Sequence, residues 1–254
     1  MRKSRMAARF TFAAILVAIP LLCAPTAAVA LSALPPPPGV AAAQVLDPLG
    51  GEVVGVAAPI TIAFAGPIVD RASVERSVRI MSTRPVPGHF DWLDYRHVQW
   101  SPDEFWPAHS DVTVLVGSAR TEFSVGDALV AYADRWSHTF TVSLNGVVVQ
   151  TMPASMGKPG YETPYGTFPV IEKFAAMVMD SSTYGVPITA PEGYRVDVQY
   201  AVRITWGGVF VHAAPWSVNQ QGVANVSHGC INLSTANAKW FYDRAKKGDP
   251  VVVE

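Results

Sequence analysis

Short β-rich hydrophobic runs recur along this chain, and the cleanest alternates with a period of two, the spacing expected of a strand that buries one face. The clearest case is residues 138–144, where Phe140, Val142 and Leu144 fall on one side and Thr139, Thr141 and Ser143 on the other. Asn145-Gly146 follows, then a second apolar run over residues 147–150. That pattern predicts a hairpin whose two-residue turn takes positive φ at both central positions. Residues 60–64 and 112–116 are further β-rich runs bounded by Gly and Pro, and residues 89–100 read as a strand pair turning near Leu93-Asp94-Tyr95. Residues 202–205 and 209–211 predict strands on either side of Trp206-Gly207-Gly208, and residues 251–253 a closing strand. One helix is predicted near the end, with Ser234 as its cap, Lys246 and Lys247 in its last turn, Gly248 after it and Pro250 beyond.

These elements divide the chain. The first thirty residues carry Arg2, Lys3, Arg5 and Arg9, then an apolar stretch, then Ala28-Val29-Ala30, the form of an export signal with its cleavage site. Retention as an uncleaved anchor is the alternative, because no charge interrupts the stretch between Arg9 and Asp47. Either way the rest of the chain is expected outside the cytoplasmic membrane, in the periplasm or cell wall, with the membrane touched only through that N-terminal segment. Residues 31–44 are a Pro- and Ala-rich linker, residues 45–120 a small immunoglobulin-like β-sandwich, and residues 121–254 a second β unit. Within that second unit, residues 152–193 are so rich in Gly and Pro that they predict a long irregular lid or binding loop. Trp92, Trp100 and Trp106 of the first unit raise the idea of glycan stacking, but a core role is the better expectation.

Composition sharpens this reading only where the signal is removed. The chain has 254 residues, 19 basic and 20 acidic side chains and a net charge of −1, which gives no reason to expect nucleic acid as a partner. Loss of the leader removes four basic residues and no acidic one, so the exported part is acidic. It also removes Cys23, leaving Cys230 as the single cysteine of an exported protein.

The surroundings of Cys230 point to chemistry. It stands in Ser227-His228-Gly229-Cys230-Ile231-Asn232, and His212 ends an apolar run upstream. An imidazole beside a thiol can accept its proton, and glycine lets backbone N–H groups, here those of residues 229 and 230, approach an oxyanion. Ser227 and Asn232 add polar partners. Spacing alone leaves open whether His212 or His228 faces the sulfur. A zinc site built from His212, His228 and Cys230 lacks a fourth ligand, and no metal or other cofactor is expected. A papain-like protease would show the cysteine before the histidine, the reverse of the order here.

The pattern of His212, fourteen residues, then Ser227-His228-Gly229-Cys230-Ile231-Asn232 resembles the signature of the L,D-transpeptidase (YkuD-type) catalytic domain, and the signal, linker and sandwich before it resemble mycobacterial-type members. The resemblance implies a mainly β protein: an N-terminal immunoglobulin-like β-sandwich, then a catalytic β-sandwich with a lid loop and a short C-terminal helix. It implies a peptidoglycan L,D-transpeptidase. Such an enzyme takes a tetrapeptide stem as donor, forms a cysteine thioester, releases D-alanine and joins two meso-diaminopimelate residues in a 3→3 cross-link. It also implies acylation by carbapenems. Carried onto this sequence, Cys230 is the nucleophile and His212 the base, with His228, Ser227 and Gly229 shaping the loop. Tyr194, Gly207, Gly208, Asn232, Met179 and Trp216 are implied to contact substrate. An L,D-carboxypeptidase or wall-binding hydrolase, in which water takes the place of the acceptor amine, is the alternative.

Overall fold

The structure is a computed structural model that describes residues 42–254; the expected leader and most of the expected linker lie outside the described residues. The first unit contains strands β1 (Ala43–Asp47), β2 (Val53–Val54) and β3 (Ile60–Phe64), helix α1 (Arg71–Ser77), then β4 (Arg79–Ser82), β5 (Gly88–Trp92), β6 (His97–Pro102), β7 (Asp111–Val116) and β8 (Ala119–Val125). They form two four-stranded sheets, ordered β1-β3-β6-β5 and β2-β8-β7-β4. Ile60, Ile62 and Phe64 alternate inward from one sheet to meet Val112, Val114 and Phe123 from the other. Trp100 and Trp106 pack ring against ring at 5.2 Å inside this core, and Trp106 donates its indole N–H to the Ala58 carbonyl at 2.9 Å. Trp92 lies against the Arg71 guanidinium and donates to Glu75. All three tryptophans are thus engaged in packing or local bonds of the sandwich.

Two boundaries differ from the sequence expectation. Pairing begins at Ala43, inside the expected linker. The first unit also runs past residue 120, because Thr121, Phe123 and Val125 continue the inward face of β8 opposite β7.

The second unit contains β9 (Leu129–Asp134), β10 (Thr139–Leu144), β11 (Val147–Pro153), β12 (Gly166–Pro169), β13 (Glu172–Asp180), β14 (Arg195–Arg203), β15 (Phe210–Ala213), β16 (Ile231–Leu233), helix α2 (Thr235–Arg244) and β17 (Pro250–Val253). Its sheets are ordered β11-β10-β9-β17-β12 and β13-β14-β15-β16. The β10–β11 hairpin turns on Asn145 at φ 51° and Gly146 at φ 84°, the conformation expected from that dipeptide. The expected irregular stretch is more ordered than its composition suggests. Residues 172–180 pair along their whole length with β14 and residues 166–169 pair with β17, which leaves the irregular parts before β12 and at the tip of the β13–β14 hairpin.

Helix α2 starts where Ser234 accepts from the Asn237 N–H, as expected, and packs Ala238 and Phe241 into the core, with Phe241 edge-on to Phe140 at 5.0 Å. It stops at Arg244, short of Lys246 and Lys247. The cause is a tight turn: Ala245 becomes extended, and the Asp249 carboxylate accepts from the Lys246 N–H at 2.7 Å. This turn is also where the first unit attaches. Gly55 and Ala57 donate their backbone N–H groups to the Lys247 and Gly248 carbonyls, both at 2.8 Å, and Lys247 pairs with Asp47.

Candidate active site

The site is built on the edge of the β13-β14-β15-β16 sheet. Strands β15 and β16 run parallel, with His212 opposite Asn232 and Val211 opposite Ile231. Val211, Ala213, Ile231 and Leu233 point into the core beneath, so alternation sends His212 and Asn232 to the other face. Cys230 precedes β16 at the mouth of the same face, beside the small apolar cluster of Met179, Val198, Ala201 and Phe210. A cleft of about 320 Å³ opens there. Of the residues singled out from the sequence, Cys230, His212, His228, Ser227, Asn232, Tyr194, Met179 and Trp216 line it, joined by Val196 and Val226, which sequence reasoning missed. Gly207 and Gly208 sit at the rim in the β14–β15 turn, and the Cys230 thiol donates to the Gly208 carbonyl at 3.6 Å.

The two histidines occupy different environments. His212 is 3% exposed, and its Nδ1–H donates to the Ala213 carbonyl at 2.9 Å. That bond leaves Nε2 as the unprotonated nitrogen. Burial pulls the His212 pKa down, so the ring is neutral at rest. His228 instead spends Nε2 on the Glu192 carboxylate at 2.7 Å, and its ring is packed by Tyr161 and Tyr194 at 4.9 and 5.3 Å. Glu192 also accepts from Lys158 at 2.6 Å, and the bonds from Lys158 and His228 hold its carboxyl below the usual carboxylate range. Glu192 lies at the tip of the β13–β14 hairpin, so this cluster fastens the tip to the loop that carries Cys230.

Burial pushes the Cys230 thiol up to about 11, although the Phe210 N–H and the Arg203 charge pull the other way. The resting pair is therefore a neutral thiol and a neutral imidazole, in contrast to sites that hold a preformed thiolate.

The loop carrying Cys230 is shaped by bonds the sequence does not announce. Ser227 Oγ donates to the Cys230 carbonyl at 2.6 Å and accepts the Gly229 N–H at 3.1 Å. The Gly229 amide, one of the two expected oxyanion donors, is thereby occupied by its own loop. Gly229 sits at φ 113°, where a side chain would be strained, and its carbonyl accepts from buried Thr163 at 2.9 Å. Ser155 exchanges backbone bonds with Asn232 at 3.0 and 2.8 Å, and Asn232 donates its side-chain amide to Ser217 Oγ at 3.2 Å. Among the described residues, no group of three or more His, Cys, Asp or Glu is placed to hold a metal ion.

A sandwich of immunoglobulin type followed by a second β unit with a cysteine and a histidine in a hairpin-covered cleft defines a class. The chain belongs to the L,D-transpeptidase family of enzymes: the description L,D-transpeptidase catalytic domain (YkuD) matches residues 130–253, and that of a bacterial Ig domain (Big_10) matches residues 35–119. It is 47% identical over 243 residues to L,D-transpeptidase 1 of Mycobacterium tuberculosis (strain ATCC 25618 / H37Rv), covering 95% of this chain and 97% of that one. Among solved structures, an LD transpeptidase in complex with imipenem superposes with a TM-score of 0.84 at 49% identity, covering 85% of this chain and 100% of the other. L,D-transpeptidase 3 from M. tuberculosis in complex with a faropenem-derived adduct superposes with a TM-score of 0.78 at 45% identity, covering 84% and 98%.

Proposed function

We propose that this L,D-transpeptidase works by covalent catalysis through Cys230, with His212 as the base, and forms 3→3 cross-links between meso-diaminopimelate residues of peptidoglycan stems at the outer side of the cytoplasmic membrane. The observation that carries the reading is the His212 tautomer. With Nδ1–H held by the Ala213 carbonyl, Nε2 is the atom able to take a proton inside the cleft that Cys230 lines.

With thiol and imidazole both neutral, proton transfer accompanies attack. The donor displaces the thiol from the Gly208 carbonyl, the proton passes to His212 Nε2, and sulfur bonds to the carbonyl carbon that joins diaminopimelate to the terminal D-alanine. The C–N bond then breaks, and imidazolium returns its proton to the departing D-alanine amine, leaving a thioester. The side-chain amine of a second stem attacks that thioester, its proton passes to His212, and the thiolate departs and is reprotonated. The Cys230 N–H is the remaining amide of the expected oxyanion pair. Met179, Val196, Trp216 and Val226 give the cleft an apolar lining, which limits water as a competing acceptor and favours transfer over hydrolysis.

The relatives solved with imipenem and with a faropenem-derived adduct support a site open to acylation by such lactams. Incubation of the full chain with disaccharide tetrapeptide, followed by mass spectrometry, tests the reading. A dimer lacking one D-alanine is expected; tripeptide alone would assign hydrolysis instead.

A further inference from the structure

A second cleft of about 270 Å³ shares a chain segment with the catalytic one. Asn225 lines it, whereas the next two residues, Val226 and Ser227, line the catalytic cleft. Its other walls are Arg135, Trp136, His138 and Tyr165. The floor is firmly made: Asn225 accepts from the Met156 N–H at 2.9 Å, donates to the Arg135 carbonyl at 2.9 Å and bonds His138 Nδ1 at 3.1 Å. The Trp136 and Ser137 amides are fixed on Asp134.

What this floor presents is unusual for a surface. Trp136 is 82% exposed and Tyr165 56% exposed, a large apolar area left open to water. Between them the Arg135 guanidinium lies over the Tyr165 ring at 4.3 Å, and its buried Nε has no hydrogen-bond partner among the described residues. The nearby Glu162 carboxylate accepts the Gly160 N–H at 3.0 Å, and its pKa is also drawn down by the Arg135 charge. The cleft thus offers the open indole of Trp136 beside a guanidinium stacked on Tyr165.

We infer that this cleft is a carbohydrate subsite that binds an N-acetylated amino-sugar unit of a glycan strand. A pyranose has an apolar C–H face that stacks on an indole or phenol ring, and oxygen acceptors around its edge for the guanidinium. The acetamido group supplies a further carbonyl acceptor and a methyl group. The inference rests on the peptidoglycan reading of the neighbouring cleft in one respect: the sugar bound here is the carrier of a stem peptide presented across the 225–227 segment.

The test titrates the full chain with an N-acetylglucosamine tetramer that carries no peptide. Binding is expected in the wild type, weakened at least about tenfold in Trp136→Ala and in Arg135→Gln, and retained in Trp136→Phe, which keeps a ring. Carbapenem acylation of Cys230 is expected within about twofold of wild type in all three, since none of these side chains lines the catalytic cleft. Absence of tetramer binding to the wild type, undiminished binding by Trp136→Ala, or preference of the Arg135 cleft for a free carboxylate such as N-acetyl-D-alanine would overturn the subsite. Acylation and activity on sugar-free tetrapeptide report on the catalytic reading separately, so the two fail independently.

Discussion

His228 gives its Nε2 to Glu192 at 2.7 Å, and this one contact separates the surroundings of the two histidines that sequence spacing leaves equivalent. His228 is committed to the hairpin tip and is braced by two tyrosines, whereas His212 keeps Nε2 for the cleft. His212→Ala is therefore expected to slow carbapenem acylation by about 10²–10⁴-fold, the usual contribution of a general base. His228→Gln can still bond Glu192 and is expected to lose far less. Stopped-flow acylation rates of the two variants decide the matter, and a larger loss at His228 would reverse the assignment.

The proposal that Cys230 is the nucleophile is tested by replacing it. Cys230→Ala is expected to give no covalent carbapenem adduct by mass spectrometry and no cross-linked product, with the fold kept, because the half-buried side chain packs only on the periphery of a small apolar cluster. An adduct that persisted in this variant would place the acylated group elsewhere.

A thiol whose pKa is pushed up to about 11 should be sluggish toward simple alkylating agents. Raising the pKa of a thiol favours its neutral form, so at pH 7 the thiolate fraction falls below that of an ordinary cysteine with pKa near about 8.5. Iodoacetamide labelling of the free enzyme is expected to be slow at neutral pH and to keep rising beyond pH 9. A plateau below pH 8 would instead indicate a preformed thiolate paired with an imidazolium.

How much of this was readable in the chain depends on how far apart the partners lie. The Asn145-Gly146 turn, the Ser234 cap and the strands around Trp206 are local, and each carries its own signal in neighbouring residues. That Cys230 and His212 share one cleft is legible because their motif is compact. Glu192 is not: it sits 36 residues from His228, in a Gly- and Pro-rich stretch whose composition says only that it turns. Thr163 reaches the Gly229 carbonyl across 66 residues, and no period or cap marks it. The end of α2 differs from the sequence expectation for a related reason. Lys246 and Lys247 suit a helix terminus by charge, but contacts with Asp249 and with the first unit pull them out of the helix.

Lys173 contributes to stability at a distance from the chemistry. Its ammonium donates to the Tyr242 carbonyl at 2.7 Å and the Ala245 carbonyl at 2.6 Å, two acceptors at the end of α2 that the helix itself leaves unpaired. Burial lowers its pKa, but the bonds suit a cation at a helix C-terminus. Lys173→Met keeps the stem and removes the donors. It is expected to cost about 1–3 kcal/mol in urea unfolding with little change in acylation rate.

Asp249 makes stability depend on pH in a direction opposite to that of a salt-bridged carboxylate. An aspartate in an unfolded chain ionises near about 4. In the folded protein, burial raises Asp249 to about 7, against the pull of the Lys246 N–H and charge. Between these values the folded state holds a proton that the unfolded state has released, so stability contributed by the protonated group is lost as pH rises through the window. The limiting slope for one proton is about 1.4 kcal/mol per pH unit, with no further loss from this group above its folded pKa. Asp249→Asn keeps an oxygen for the Lys246 N–H and removes the ionisation. The variant is expected to unfold at higher temperature than wild type at pH 8, with that advantage shrinking toward pH 4. Because the same turn receives Gly55 and Ala57 from the first unit, the gain should appear in the unfolding of both sandwiches. Identical melting curves at pH 8 would show that Asp249 stays ionised at little cost.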